Sequence, residues 1–262
     1  MPLAAKAIVT IAIGEEFSKM AKLTHPAMRK YAQRVEAEFI VIDSFDTSSQ
    51  TPHFAKYRLY ELLKTYQRIL YIDTDALIVS KCPDLFKLVP KNQLGVFLEE
   101  DEINPTRRTD EIQKICGNID GWPGKYFNSG VMVISSAQRA IFDPNFQKNS
   151  LGSEYEQAQL NWNAQKLGIS IFNIGKRFNH IVWELDGSRY SSFIIHYVYC
   201  CPPRWLSRRQ KILLDILILS SPEPVKFLLI TMRCAVDRVI TKLLKWTLPV
   251  RRIFGLYNKR AS

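Results

Sequence analysis

RILYIDTDALIV, Arg68–Val79, is an apolar run that holds two aspartates, Asp73 and Asp75, with one threonine between them. Arg68 to Ile72 reads as a strand buried on both faces. Residues i and i+2 of an extended chain point to the same side, so both carboxylates are expected to crowd one face at the strand's end. Like charges that close repel and raise each other's pKa unless something positive sits between them. A divalent cation is the usual solution, and carboxylate oxygens suit Mg²⁺ or Mn²⁺. A solvated turn after a strand is the other reading of the same residues.

Outward from this run, strand-like and helix-like segments alternate. AIVTIAI (Ala7–Ile13) and EFIVID (Glu38–Asp43) read as strands, with a helix around HPAMRKYAQRVE between them and Pro26 in its first turn. The polar SFDTSSQTP reads as a loop. In HFAKYRLYELLKTY, Leu59, Leu62, Leu63 and Tyr66 recur at i, i+3, i+4 and i+7, which predicts a helix leading into the Asp-x-Asp strand. QLGVFLEE, GVMVIS, ISIFNI and SFIIHYV read as further strands, EYEQAQLNWNAQKL as a helix, and EEDEINPTRRTDE as a charged surface loop. Such alternation predicts an α/β fold with a mainly parallel sheet flanked by helices. In these sheets ligands bind beyond the carboxyl ends of the strands, where Asp73 and Asp75 stand.

The chain of 262 residues is long enough for one large domain or two small ones. Its five cysteines contain no C-x-x-C, so neither a zinc site nor a disulfide framework is indicated, and a reducing, cytoplasmic compartment fits. AIVTIAI has one preceding lysine and no small-residue cleavage site after it, so it reads as a strand rather than a signal peptide. No apolar stretch reaches the roughly 18 residues of a spanning helix. From Arg204 to Ser262 there are 13 Lys and Arg against 3 Asp and Glu, which is +10 of the chain's net +11. The composition therefore divides the chain into a near-neutral body, residues 1–203, and a basic tail, residues 204–262. The tail reads as two amphipathic helices separated at SSPEP, in which Phe227, Leu228, Ile230, Cys234, Val236 and Val239 interleave with Arg233, Arg238, Lys242 and Lys245. Such helices lie on anionic membrane surfaces; packing on the body is the alternative. No nucleic-acid-binding motif accompanies the charge.

Several further segments carry chemistry when taken in order. They are VTIAIGEEF near the start, FAKYRLYELL before the acidic pair, YFNSGVMVIS after it, EQAQLN on the late helix and IIHYV on the last strand. Taken together with YIDTDALIV, they resemble the GT-A glycosyltransferases of family 8, which include glycogenin and bacterial lipopolysaccharide galactosyl- and glucosyltransferases. The resemblance covers about residues 6 to 200. It implies a GT-A type, Rossmann-like fold and a retaining transfer of a hexose from a UDP-sugar donor to a glycan or lipid-linked acceptor. It implies a metal site of Asp73, Asp75 and His196, holding Mn²⁺ or Mg²⁺, with Asp73 also touching the ribose. Thr10, Ile13 and Gly14 match positions near the nucleotide base, and Lys56 and Asn128 match donor contacts. Glu156 and Gln157 fall on the helix that faces the reacting sugar. The family usually has Asp where this chain has Glu156, and a carboxylate moved by more than about an ångström changes rates by orders of magnitude.

Two other function classes share parts of this pattern. Haloacid-dehalogenase-type phosphohydrolases also use Asp-x-Asp after a strand. Their motif continues with Thr or Val where this chain has Leu77, and it lies on the first strand. A catalytically inactive nucleotide-sugar-binding or membrane-docked scaffold that kept the fold is the non-enzyme alternative; the intact Asp73, Asp75 and His196 argue against it.

Overall fold

The computed structural model describes residues 4–44, 52–99, 112–113, 125–146, 156–182, 187–198 and 206–253. The charged loop EEDEINPTRRTDE lies outside the described residues apart from Glu99, as do Cys116, Cys200 and Cys201 and most of SFDTSSQTP. The elements are β1 (Ala4–Ile11), α1 (Glu15–Arg34), β2 (Glu38–Ile42), α2 (Leu59–Thr65), β3 (Tyr66–Ile72), β4 (Ala76–Ile78) and α3 (Leu85–Leu88). They continue with β5 (Leu94–Leu98), β6 (Phe127–Ser135), α4 (Glu156–Lys166), β7 (Ile171–Asn173), β8 (His180–Ile181), β9 (Ile194–His196), α5 (Arg208–Ser220) and α6 (Glu223–Ile253).

β3 is the spine. Every residue of it except Gln67 is buried. Ile69 and Tyr71 enter one core with Leu59 and Leu63 of α2 and Leu160 of α4, while Leu70 and Ile72 enter a second with Met28 and Tyr31 of α1. That two-sided burial is why Ile69 to Ile72 is an unbroken apolar run. The main sheet runs β2-β1-β3-β6-β5-β7. Its neighbours pair in parallel except β6, which runs against both β3 and β5. This is the mixed, mainly parallel sheet the alternation predicts. The reversal of β6 brings its first residues to the carboxyl end of β3.

Three local expectations are corrected. α1 begins at Glu15, well before HPAMRKYAQRVE, and Pro26 sits inside it rather than in its first turn. Glu15 and Glu16 place negative charge at the positive end of the helix dipole. The segment before β3 is not one helix: Pro52–Arg58 is a 3₁₀ turn, α2 follows, and Tyr66 already belongs to β3. Asp73 and Asp75 are not on the strand itself. They form a turn between β3 and β4, closed by Ala76 N donating to Asp73 O at 3.0 Å. A small second sheet, β4-β9-β8, is not apparent from the sequence; it pairs Ala76 with His196.

α5 and α6 do form, separated at Ser221-Pro222; Ile212, Ile216 and Leu219 of α5 pack with Met20, Leu77 and Ile195, and a buried ionic cluster ties both helices to the body. Arg189 Nε lies 2.8 Å from Asp215 Oδ2 on α5, and its Nη1 lies 3.0 Å from Asp237 Oδ2 on α6. Tyr190 and Tyr197 both donate their hydroxyls to Asp215 at 2.7 Å, and Arg233 pairs with Asp237. Asp237 is fully buried. α6 comes so close that a Cβ on Gly187 would fall 2.1 Å from Cys234 Sγ. Removing one partner of a buried ionic cluster leaves the others uncompensated and costs about 3–5 kcal/mol. Arg189→Ala should therefore lower the free energy of urea unfolding by that amount. A loss below about 1 kcal/mol, the value of an exposed pair, would show that the cluster does not hold the helices.

Candidate active site

The Asp73-Thr74-Asp75 turn is held from several sides. Asp73 N donates to Gly130 O on β6 at 2.8 Å, and Tyr197 N donates to Asp75 O at 2.9 Å. From α1, Thr24 Oγ1 donates to Thr74 O and His25 Nε2 bonds Thr74 Oγ1, both at 2.8 Å. Burial and Arg29 push His25 down to about 4, so it is neutral and structural. Both acids thus face one cavity of about 600 Å³ at the carboxyl end of β3, which also admits Lys56, Glu156, Gln157 and His196.

His196 completes the acidic pair. Its Nε2 lies 3.3 Å from Asp75 Oδ1 and 3.6 Å from Asp73 Oδ2. One ligand atom from each of the three residues falls within 4.8 Å of the other two. The ring is oriented from behind. His196 Nδ1 bonds Asn179 Oδ1 at 2.9 Å, and Asn179 Nδ2 donates to Asn128 Oδ1 at 2.8 Å. This fixes Asn179 Oδ1 as the acceptor and leaves Nε2 to face the carboxylates, the arrangement that histidine ligands of metals use. Two carboxylates and an oriented imidazole fit a divalent cation. Gly130 is required here: a Cβ would stand 2.2 Å from His196 Cε1 and 2.8 Å from Asp73 Oδ2.

Lys56 is buried beside the acids, 3.6 Å from Asp73 Oδ1 and 3.3 Å from Glu156 Oε2, and it donates to Ser129 Oγ at 2.9 Å. Burial alone would lower its pKa, but Asp73 and Glu156 outweigh that and keep it charged. Asp73 is held below the usual carboxylate range despite its burial, by Lys56, His196 and the hydroxyl of Tyr71, which donates to Oδ1 at 2.5 Å. Glu156 goes the other way: burial outweighs Lys56 and raises it to about 7. Among the described residues its Oε1 has no hydrogen-bond partner. Gln157 Oε1 accepts from Asn128 Nδ2 at 3.1 Å and Ser129 N at 3.0 Å, so its amide is fixed.

A family model, "Glycosyl transferase family 8", matches residues 6–197. The chain belongs to glycosyl transferase family 8. No curated protein matches the sequence. Among solved structures, a glycosyltransferase involved in glycosylation of the major capsid of PBCV-1 is 13% identical, over 79% of this chain and 99% of its own, with a TM-score of 0.55. The bifunctional glycosyltransferase WbbM is 12% identical with a TM-score of 0.52; the match covers 88% of this chain but only about half, 52%, of WbbM. The galactosyltransferase LgtC, solved with donor and acceptor sugar analogs, is 16% identical over 75% of this chain and 87% of its own, with a TM-score of 0.44. The first two matches show the GT-A type α/β fold.

In this family 8 chain, Asp73, Asp75, His196, Lys56, Asn128, Glu156, Gln157 and Ile13 all line the cavity. Thr10 and Gly14 do not. Thr10 is fully buried on β1 with its hydroxyl unpaired among the described residues, and Gly14 precedes α1 at φ 85°. Sequence reasoning missed Tyr71, Ser129, Asn179 and Arg208. Arg208 Nη1 lies 2.9 Å from Asp75 Oδ2, yet in the sequence it is one basic residue among many in the tail. Tyr71 and Ser129 sit inside motifs already singled out, whereas Asn179 carries no local signal at all.

The raised Glu156 has a pH consequence. Its carboxyl ionises near pH 4.5 when unfolded and near 7 when folded, so its contribution to stability is present below about 4.5 and lost as pH rises towards 7. Compared with Glu156→Gln, wild type should lose thermal stability steadily between these values and then run parallel. Paired melting curves from pH 4.5 to 8 check this; a constant difference would mean an ordinary carboxyl.

Proposed function

We propose that this glycosyltransferase is a metal-dependent, retaining hexosyltransferase that takes a UDP-sugar donor and a glycan or lipid-linked acceptor. The observation that carries the reading is the meeting of Asp73, Asp75 and His196 with Lys56 in one cavity. Asp73, Asp75 and His196 would hold Mn²⁺ or Mg²⁺, with the imidazole favouring Mn²⁺. Bound there, the cation supplies charge against the negative charge that builds on a leaving diphosphate. Lys56 adds a fixed positive charge from the cavity wall. The unpaired Glu156 Oε1 offers an acceptor to a sugar hydroxyl, and the fixed Gln157 amide makes a rigid polar wall beside it. Asn128, held by Glu99 and Gln157, presents the donor sugar with a set amide. Ile13, and Thr10 and Gly14 near it on the first strand and its loop, are the proposed surroundings of the base. Retention requires either a group on the sugar's back face, where Glu156 and Gln157 are candidates, or acceptor attack on the leaving-group side.

Two measurements test this. Thermal stabilisation by a panel of nucleotide-sugars with Mn²⁺ identifies the donor, because a ligand that binds only the folded state raises its melting temperature. Metal-dependent UDP release should then fall roughly 100-fold or more in Asp75→Asn. Phosphate release from simple monoesters would point to a phosphohydrolase instead, and donor binding without turnover to a scaffold.

The two C-terminal helices support a place at the cytoplasmic face of a membrane. α6 turns Arg233 and Asp237 towards the body and leaves Phe227, Leu228, Met232, Val236 and Val239 exposed, with Phe227 76% accessible. Leu213 and Leu217 on α5 are exposed too. An apolar face turned outward beside basic residues fits an anionic lipid surface. Among the described residues no helix is long and apolar enough to cross a membrane. The protein should float with vesicles containing anionic lipid, and Phe227→Glu with Met232→Glu should abolish flotation. Equal recovery with and without vesicles, or a dimer that the same substitutions dissolve, would assign this face to protein contact.

A further inference from the structure

Arg208 lies beyond the family-matched residues 6–197, so nothing in the family assignment accounts for it. It is the first residue of α5, whose start is fixed by a capping box between Ser207 and Gln210. The helix is anchored by fully buried Ile212 and by Asp215 in the Arg189 cluster. Its guanidinium is therefore delivered to the cavity from a clamped element. It lies against the Phe17 ring, 5.4 Å from its centroid, and reaches Asp75 Oδ2. The other oxygen of Asp75 faces His196. One carboxylate thus stands between the proposed metal site and a permanent cation.

The acidic pair already has two cationic side chains against it before any ligand enters. Lys56 and Arg208 offset Asp73 and Asp75. Glu156, the remaining acid, shares Lys56 and is held towards its neutral form by burial. A divalent ion entering alone adds two uncompensated positive charges beside a guanidinium that cannot lose its proton. A diphosphate arriving with it offsets the added charge, and a guanidinium is well suited to phosphate oxygens. We propose that Arg208 couples the two ligands: it disfavours the bare cation and favours the cation with a nucleoside diphosphate, so that both load together. Arg208 is a positioning residue in this role, acting through Asp75 and through its charge. The inference rests on the reading of the cavity as a metal and diphosphate site.

The test is Mn²⁺ binding, read from the paramagnetic signal of free Mn²⁺, with and without saturating UDP and after subtraction of Mn²⁺ bound by UDP alone. Wild type, Arg208→Gln and Arg208→Lys are compared. Glutamine can still donate to Asp75, so it removes charge while keeping a partner. In wild type, UDP should tighten Mn²⁺ binding about tenfold or more, within the usual range of coupling between ligands. Arg208→Gln should bind bare Mn²⁺ several-fold tighter, and its gain from UDP should shrink about tenfold. Arg208→Lys keeps the charge and should stay within about threefold of wild type. Melting curves report folding of each variant; a purely structural salt bridge would change these and leave the gain from UDP alone. The same gain in all three proteins overturns the inference. Absence of Mn²⁺ binding by wild type even with UDP overturns the donor reading, and this inference with it.

Discussion

Two carboxylates one residue apart, brought to the end of a buried strand, repel each other, and the rest of the site is arranged around that repulsion. Lys56 approaches from the 3₁₀ turn, His196 from the small second sheet, Arg208 from α5, and Tyr71 bonds Asp73 from the strand itself. The backbone cannot relax away from the conflict. α1 grips Thr74 with Thr24 and His25, β6 holds Asp73 through Gly130, and Tyr197 holds Asp75. The fold thus supplies a place where positive charge is wanted, which is the condition for binding a cation or a cationic side chain.

Much of this was legible in the sequence, for different reasons. β3 was legible because two-sided burial makes Ile69 to Ile72 a continuous apolar run, so two acids at its end stand out. The mainly parallel sheet followed from alternation. The missing half of α1 was not legible because Pro26 reads as a helix start, whereas in the molecule it is an interior residue of a helix that begins at Glu15. The acids were expected to share a side through strand alternation; they share it because a turn is pinned by three neighbouring elements. His196 could be singled out only through the family resemblance, since a histidine between apolar residues is ordinarily core. Asn179 and Arg208 reach the site across long stretches of chain, and no local pattern encodes such contacts.

The C-terminal helices show how composition and structure can speak of different things. Counting charges finds a basic segment set apart from a neutral body. The structure finds buried ion pairs joining the two, beside an apolar seam in which Ile212, Ile216 and Leu219 of α5 pack with Met20, Leu77 and Ile195. Asp215 and Asp237, two of the few acids in the tail, are the ones buried against Arg189. α6 consequently sets Arg233 and Asp237 inward among half-buried Leu229, Ile230 and Cys234 and leaves Phe227, Leu228, Met232, Val236 and Val239 outward, an inversion of the usual placing of ionic and large apolar side chains on a surface helix.

That inversion bears on how the chain can be shortened. Cutting it where the family match stops, at residue 197, would strip Arg189 of both the acids that its guanidinium meets on α5 and α6. The same cut would remove the guanidinium that faces Asp75. A fragment that keeps these contacts has to reach past Asp237, well beyond the end of the family match.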